Sequence, residues 1–299
     1  MRKKVVIGSR GSRLAEVQAR SVLNGLASCC PDVDFILTKI ATIGDKKKTI
    51  PIEKIPGYGA FVKELQEALF AGQIDLAVHS LKDLPVVGPP GLVLAAITER
   101  TDPRDAFISM GGKLKEVTTG STIGTSSPRR SVQLLEFRPD LKVKTIRGNV
   151  DTRVGKVLNG EFDGIIVAAA GLIRLGLRDK ITEYLPEEYF LPQPGQGALA
   201  VEIRAEDNLM HELVQPVHHI PTWQSVEAER IFLQAMGGGC SAAIACLGKV
   251  EANTIRLKGM AVSRGKPIYA AVEGEASVLD KLAQRLAQEL VDMGAQTSI

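Results

Sequence analysis

Long apolar runs are missing from this chain of 299 residues. The longest of them, such as Ile165 to Ala170, are far shorter than the roughly 20 residues that a membrane-spanning helix needs. The N-terminus is basic, but only three apolar residues follow Lys4 before Gly8, which is typical of a first β-strand and not of a signal peptide. We therefore expect a cytoplasmic protein that is not bound to a membrane.

Cysteine, histidine and aromatic residues are scarce. No pair among the four cysteines has zinc-like spacing with a histidine partner, so no metal site is predicted, and a disulfide framework is not expected in a reducing compartment. One Trp, four Tyr, eight Phe and a net charge of +3 give little support to a nucleic-acid binder. The remaining composition is that of a globular protein large enough for two or three domains.

Strands and helices alternate along the first two thirds of the chain. A strand at Lys4–Ile7, a helix at Leu14–Ala27 and a strand at Phe35–Ile40 form a βαβ pattern, which favours a parallel sheet. Further strands are predicted at 74–78, 121–124, 142–146, 164–169 and 198–203, and further helices at 61–70, from 128, at 150–158 and from 172.

The last third has a different pattern. A predicted helix at 226–234 leads to three glycines and then Cys240, after which three strand-like runs and a long amphipathic helix indicate a small α+β domain. Glycines let the backbone bend sharply before Cys240. Taken alone, that pattern is more typical of a buried structural cysteine in a tight turn than of a reactive one.

Arginines and hydroxyl side chains follow several predicted strands. Ligands of open α/β sheets bind at the carboxyl ends of strands, and guanidinium groups and helix N-termini suit carboxylates or phosphates. The residues with these properties are Ser9, Arg10, Ser12, Arg13, Ser80, Lys82, Asp83, Thr125, Ser127, Arg129, Arg130, Arg147, Asn149 and Arg153. Two interpretations stay open at this point, a ligand with several carboxylates or a set of solvated charges with Ser127 as a helix cap.

Short ordered motifs occur over nearly the whole chain. They are Gly-Ser-Arg-Gly-Ser-Arg-Leu-Ala at 8–15 with Gln18, Phe-Val-Lys-Glu-Leu at 61–65, His-Ser-Leu-Lys-Asp-Leu-Pro at 79–85, Asp-Pro-Arg-Asp-Ala-Phe at 102–107, Ile-Gly-Thr-Ser-Ser-Pro-Arg-Arg at 123–130, Arg-Pro-Asp-Leu at 138–141, Ile-Arg-Gly-Asn-Val-Asp-Thr-Arg at 146–153, Ala-Ala-Gly-Leu at 169–172, Gly-Gln-Gly-Ala at 195–198 and Gly-Gly-Cys at 238–240. With these motifs in this order, the chain resembles the porphobilinogen deaminase (hydroxymethylbilane synthase) family.

The resemblance implies an α/β fold of two periplasmic-binding-protein-like lobes and a small α+β C-terminal domain. The implied boundaries are 1–98 plus 198–216 for the first lobe, 103–193 for the second and 220–299 for the third domain. The implied activity is that of a transferase of porphyrin, tetrapyrrole and heme biosynthesis. Such an enzyme condenses four porphobilinogen molecules head to tail with loss of ammonia on a covalent dipyrromethane primer, and then releases the linear tetrapyrrole by hydrolysis.

The resemblance also assigns roles to residues. Asp83 is the implied catalytic carboxylate, and Cys240 is the implied thioether link to dipyrromethane. The other implied cofactor-binding residues are Ser80, Lys82, Thr125, Ser127, Arg129, Arg130, Thr145 and Arg153. The implied substrate-binding residues are Arg10, Ser12, Gln18, Arg147, Arg153 and Arg174. The family further implies a monomer that hands its product to a uroporphyrinogen III synthase.

The chain departs from the family pattern at three places. Ile43 replaces a basic residue, Gly57-Tyr58-Gly59-Ala60 replaces a lysine-containing segment, and Ser241-Ala242-Ala243-Ile244 follows the cysteine. The first two remove positive charge from a long loop that is expected to act as a lid. One alternative function is a non-catalytic two-lobed protein that binds a polycarboxylate, but it does not explain Lys82–Asp83 together with Gly-Gly-Cys.

Overall fold

A computed structural model describes residues 3–41, 62–238 and 242–296. Cys240, Ile43, the lysines at 46–48, Tyr58 and Phe61 therefore lie outside the described residues. The described helices and strands, in chain order, are β1 (Lys3–Arg10), α1 (Arg13–Cys29), β2 (Val33–Ile40), α2 (Lys63–Phe70), β3 (Leu76–Ser80), β4 (Leu92–Ile97), β5 (Asp105–Ser109), β6 (Thr122–Gly124), α3 (Pro128–Phe137), β7 (Lys142–Lys144), α4 (Val150–Leu158), β8 (Gly164–Ala168), α5 (Ala169–Arg174), β9 (Glu183–Tyr184), β10 (Leu199–Arg204), α6 (Asn208–Val214), α7 (Ile220–Ala235), β11 (Ala245–Glu251), β12 (Thr254–Ser263), β13 (Lys266–Glu275) and α8 (Leu279–Asp292).

The chain divides into two compact units. The first comprises residues 1–100 and 198–223, and the second comprises 101–197 and 224–299. The second unit contains one lobe and the C-terminal domain. The three-domain boundaries given above stay a prediction.

The first unit is built on a five-stranded sheet in the order β2-β1-β3-β10-β4. Strands β1, β2 and β3 are parallel, as the βαβ pattern predicts, but β10 runs antiparallel to both of its neighbours. The βαβ pattern makes no prediction for β10, because this strand comes from a distant part of the chain and no βαβ crossover sets its direction. Apolar side chains cover both faces of the sheet.

The second unit repeats this arrangement in the order β7-β6-β8-β5-β9. Strands β6, β7 and β8 are parallel, and β5 is antiparallel to β8 and β9. A separate three-stranded antiparallel sheet, β11-β12-β13, packs with α7 and α8 around Phe232, Leu257 and Leu286. The fold-class prediction of two α/β lobes and a small α+β domain is confirmed.

Local sequence explains where the helices begin. Ser12 precedes α1 and its hydroxyl accepts a hydrogen bond from Ala15 N, while Ser127 caps α3 ahead of Pro128 and accepts from Arg130 N. Both are standard helix starts, with a hydroxyl at the N-cap and, in α3, proline at the first helical position. Each serine thus brings the N-terminus of its helix to the carboxyl end of a parallel strand. No described helix is long and apolar enough to cross a bilayer.

Candidate functional site

In the first unit, the polar groups gather where β1 and β3 end. These strands are parallel neighbours, with Gly8 paired to Ala77, so their carboxyl ends lie at the same edge of the sheet. Ser9 at the end of β1 is fully buried, while Arg10 is half-buried. The sequence prediction that residues after β1 and β3 lie close together is therefore consistent with the strand register.

Asp83 stands on a short 3₁₀ turn, Leu81–Asp83, that follows β3 directly. Leu81 and Leu84 are buried at 1% and 5% exposure, whereas Asp83 between them is exposed and Lys82 is half-buried. The backbone N–H of Leu81 donates to Ala198 O, and that of Leu84 donates to Leu81 O. The two leucines anchor the turn, so the carboxylate of Asp83 points outward from a fixed backbone.

Gln18 and Ser12 are occupied by contacts within the lobe. Gln18, only 5% exposed, donates from Nε2 to Ser80 Oγ at 2.8 Å, which joins α1 to the end of β3. Ser12 is used as the helix cap. Their predicted contact with substrate stays a prediction, and the structure gives both a role in holding this edge of the lobe.

The centre of the second lobe is a buried carboxylate between two guanidinium groups. Asp105 has no exposed surface; its Oδ2 accepts from Arg129 Nη1 at 2.7 Å, and its Oδ1 accepts from Arg130 Nη2 at 2.7 Å. Burial raises the pKa of Asp105, but the charges and hydrogen bonds of the two arginines outweigh burial and hold its pKa well below the ordinary value. Asp105 is therefore ionised, and the group carries one net positive charge.

The two arginines differ in the hydrogen-bond donors that they have available for a ligand. Arg129 is 2% exposed and its Nη1 also donates to Leu191 O at 2.6 Å, so it braces the loop before Gly195. Arg130 is 7% exposed, and its buried Nε has no hydrogen-bond partner among the residues that the structure describes. A buried donor without an acceptor is costly, and an anionic ligand would satisfy it.

Arg130 belongs to a wider cationic group with Arg147 and Arg153. Burial, together with the positive charges of Arg130 and Arg147, lowers the pKa of Arg153 to about 10. The Nε of Arg153 donates to Gly148 O at 2.8 Å, which orients the side chain at the start of α4. Three arginines that repel one another, with a buried free donor, fit a ligand with several carboxylates.

Three other residues of this lobe are predicted to contact the cofactor or the substrate, namely Thr125, Thr145 and Arg174. Thr125 is buried after β6 and its Oγ1 accepts from Ser127 N, whereas Thr145 is exposed just after β7, which ends two residues earlier than expected. Arg174, at the end of α5, donates to Thr101 Oγ1 at 3.2 Å and to Gly197 O at 2.7 Å. Burial lowers the pKa of Arg174 to about 10.

Sequence reasoning assigned no role to Asp105 and Gln196. Gln196 is fully buried and donates from Nε2 to Asp105 Oδ1 at 2.9 Å and to Pro103 O at 2.7 Å. Both residues stand inside motifs that the sequence displays, at 102–107 and 195–198. The available signal was an acidic residue in an apolar strand, since a buried Asp requires a cationic partner.

The residues that flank Cys240 are packed tightly. A Cβ on Gly238 would lie 2.4 Å from Ile244 Cδ1 and 2.9 Å from Leu233 Cδ1, and Met236 and Ile244 belong to the core of the C-terminal domain. A larger residue at 238 would require the side chains of Ile244 and Leu233 to move, which gives a packing reason for that part of the glycine run. The described ends of this loop are thus fixed in the core.

Two family models match the chain. "Porphobilinogen deaminase, dipyromethane cofactor binding domain" matches residues 5–212, and "Porphobilinogen deaminase, C-terminal domain" matches 223–292. Similar proteins named porphobilinogen deaminase come from Thermus thermophilus, at 47% identity over 98% of this chain and 97% of the relative, and Geobacillus kaustophilus, at 43% over 99% and 97%.

Solved structures give a weaker likeness. The methionine-binding protein MetQ is 15% identical with a TM-score of 0.45, covering 75% of this chain and 91% of that protein. The effector-binding domain of BenM with benzoate is 18% identical with a TM-score of 0.43, covering 74% and 93%. The description of both lobes therefore rests on the strand order of the chain itself.

Proposed function

The chain belongs to the porphobilinogen deaminase family, and on that premise we propose how its own residues divide the work of the reaction. The activity is that of a hydroxymethylbilane synthase, a transferase that joins four porphobilinogen molecules head to tail with loss of ammonia. The cofactor is dipyrromethane, which supplies the primer for chain growth when it is bound. The alternative of a non-catalytic binding protein is not supported.

The arginine group of the second lobe binds the carboxylate arms of the cofactor and of the growing chain. The observation that supports this role is the cationic cluster of Arg130, Arg147 and Arg153, in which burial and mutual repulsion depress the pKa of Arg153. A carboxylate bound there would remove the repulsion and satisfy the buried Nε of Arg130. Arg129 acts through Asp105 and Leu191 by holding Arg130 in place.

Asp83 stabilises the positive charge that develops when a porphobilinogen unit loses ammonia. Its exposed carboxylate on an anchored turn is the single observation that carries this assignment, because a preorganised charge contributes most where it does not have to reorganise. The same carboxylate is in a position to accept or return a proton of the bound substrate. Lys82, next to it, binds a substrate carboxylate.

We further propose that Cys240 forms the thioether to dipyrromethane. The supporting observations are its place after the glycine run, the tight packing at Gly238, and the family match across both matched domains. Thr125 and Ser127 present hydroxyl groups at the start of α3, where an anion is favoured. The protein acts as a cytoplasmic monomer and passes its product to a uroporphyrinogen III synthase.

The test is Asp83→Asn, which preserves the shape of the side chain and removes its charge. We expect kcat to fall on the order of 10²–10³-fold, the usual loss for one electrostatic group, while the covalent cofactor is retained in the intact mass. The matched control is Asp32→Asn, an exposed aspartate before β2 at the opposite edge of the same sheet, which should leave kcat unchanged. Near-normal turnover of Asp83→Asn with cofactor in place would contradict the assignment.

A further inference from the structure

Two buried polar side chains of the first lobe have no part in the proposed function. His79 is 5% exposed and Glu202 is 3% exposed. His79 Nε2 lies 3.1 Å from Glu202 Oε2, a close contact that is not aligned as a hydrogen bond. The other carboxylate oxygen, Oε1, accepts from Gln66 Nε2 at 2.9 Å. Three polar side chains from β3, β10 and α2 thus meet inside the lobe.

The strand register explains why these side chains meet. Strand β10 runs antiparallel to β3, with Ala200 paired to His79 and Glu202 paired to Ala77. Glu202 is therefore the diagonal neighbour of His79 on one face of the sheet, within reach of a long side chain. This face is the one that α2 covers, because Ala77 packs with Leu65 and Leu69.

The next residue of β3 is held from the opposite face. Side chains alternate along a strand, so Ser80 points away from α2, and its hydroxyl accepts the hydrogen bond from Gln18 of α1. The last two residues of β3 are thus fixed on both sides of the sheet. The backbone then enters the turn that carries Asp83, three residues after Ser80.

We propose that His79 and Glu202 are positioning residues that fix the end of β3 and so set the direction in which Asp83 presents its carboxylate. This inference rests on the proposed role of Asp83. A buried pair of polar side chains contributes little net stability compared with apolar residues of similar volume, but it does define a geometry. Gln18 and Ser80 provide the matching support on the other face.

The main test is Glu202→Gln in the full-length protein that carries its cofactor. Glutamine keeps the volume and can still accept from Gln66 Nε2, but it replaces the carboxyl group that faces His79 Nε2 with an amide. We expect kcat to fall about 10- to 100-fold, because small displacements of a reacting group carry losses of that order. We also expect KM to change less than about two-fold and the covalent cofactor to remain in the intact mass, since the groups that bind carboxylates are untouched.

Asp207→Asn is the matched control for general loss of stability. Asp207 caps α6 through Met210 N at 3.1 Å and pairs with Arg204 at 2.9 Å. Arg204 ends β10 at the edge of the sheet opposite to the end of β3. This variant should lower the midpoint of thermal unfolding and leave kcat unchanged; an equal loss of kcat in both variants would overturn the positioning role.

A double variant separates this inference from the function on which it rests. If Glu202 acts through Asp83, then adding Glu202→Gln to Asp83→Asn should lower kcat less than two-fold further. Wild-type kcat in Glu202→Gln, with Asp83→Asn inactive, would refute the positioning role alone. Activity in Asp83→Asn would refute the proposed function itself. If Glu202→Gln does not fold, Gln66→Met removes only the bond to Glu202, and an unchanged kcat in that variant would overturn the inference.

Discussion

Asp105→Asn should destabilise the second lobe strongly, although Asp105 is not among the residues assigned to substrate or cofactor. The carboxylate is fully buried and compensates two guanidinium groups at 2.7 Å each. Asparagine offers one acceptor oxygen, and its amide would face the other guanidinium. Removing one partner of a buried ion pair typically costs about 3–5 kcal/mol, and we expect the free energy of unfolding to fall by that amount.

The loss of unfolding free energy in Asp105→Asn should depend on pH, and its direction follows from the pKa of Asp105. The pKa of Asp105 is held well below its ordinary value in the folded protein, so its contribution to stability is complete above the unfolded pKa of about 3.9. That contribution is lost as pH falls from there toward the folded pKa. The difference in the free energy of unfolding between the wild type and Asp105→Asn should therefore be constant from pH 7 to about pH 5 and should become smaller below about pH 4.

Urea unfolding followed by circular dichroism, at several pH values, measures this difference. Glu273→Gln is the matched control, because Glu273 also pairs with an arginine, Arg256, at 2.7 Å but at the surface, where such pairs contribute little. The control should show a much smaller change. If Asp105→Asn lowers the free energy of unfolding by less than about 1 kcal/mol, or by the same amount as the control, the account of a buried ion-pair centre is refuted.

Three further outcomes are expected. Arg153→Gln should raise the midpoint of thermal unfolding of the cofactor-free protein, because it relieves repulsion from Arg130 and Arg147. The same variant should raise KM. A lowered midpoint would argue against the cationic cluster. Gly164→Ala should destabilise by about 1–3 kcal/mol in urea unfolding, because a Cβ there would lie 2.6 Å from the ring of Phe107; an unchanged midpoint would contradict this packing. If the lysines at 46–48 supply the positive charge that Tyr58 lacks, replacing all three by alanine should raise KM. Adding Tyr58→Lys to that triple variant should then restore the wild-type KM. An unchanged KM in the triple variant would refute the hypothesis.

Much of the fold could be predicted from local pattern. The amphipathic helices, the strands β1, β2 and β3, and the caps at Ser12 and Ser127 follow from periodicity and cap chemistry. The antiparallel insertion of β10 could not be predicted, because the pairing of distant strands leaves no local signal. The repeated strand order of the two lobes was invisible for the same reason, since topology repeats without sequence similarity.

Sequence motifs predict the residue types of the candidate site, but they do not predict which side chains contact one another. The arginines after β6 and β7 were expected to face a polycarboxylate, yet the structure distinguishes Arg129, which braces Leu191, from Arg130, which has a free buried donor. This difference depends on where Asp105 lies, and no local spacing encodes that position. The exposure of Asp83 between two buried leucines likewise follows from the turn after β3 and not from its motif alone.

The intact mass of the purified chain tests the central claim most directly. If the chain is a hydroxymethylbilane synthase that carries dipyrromethane on Cys240, its mass exceeds the sequence mass by two linked pyrrole units, and the excess is absent from Cys240→Ser. A wild-type mass equal to the sequence mass, or an excess that survives Cys240→Ser, would contradict the account.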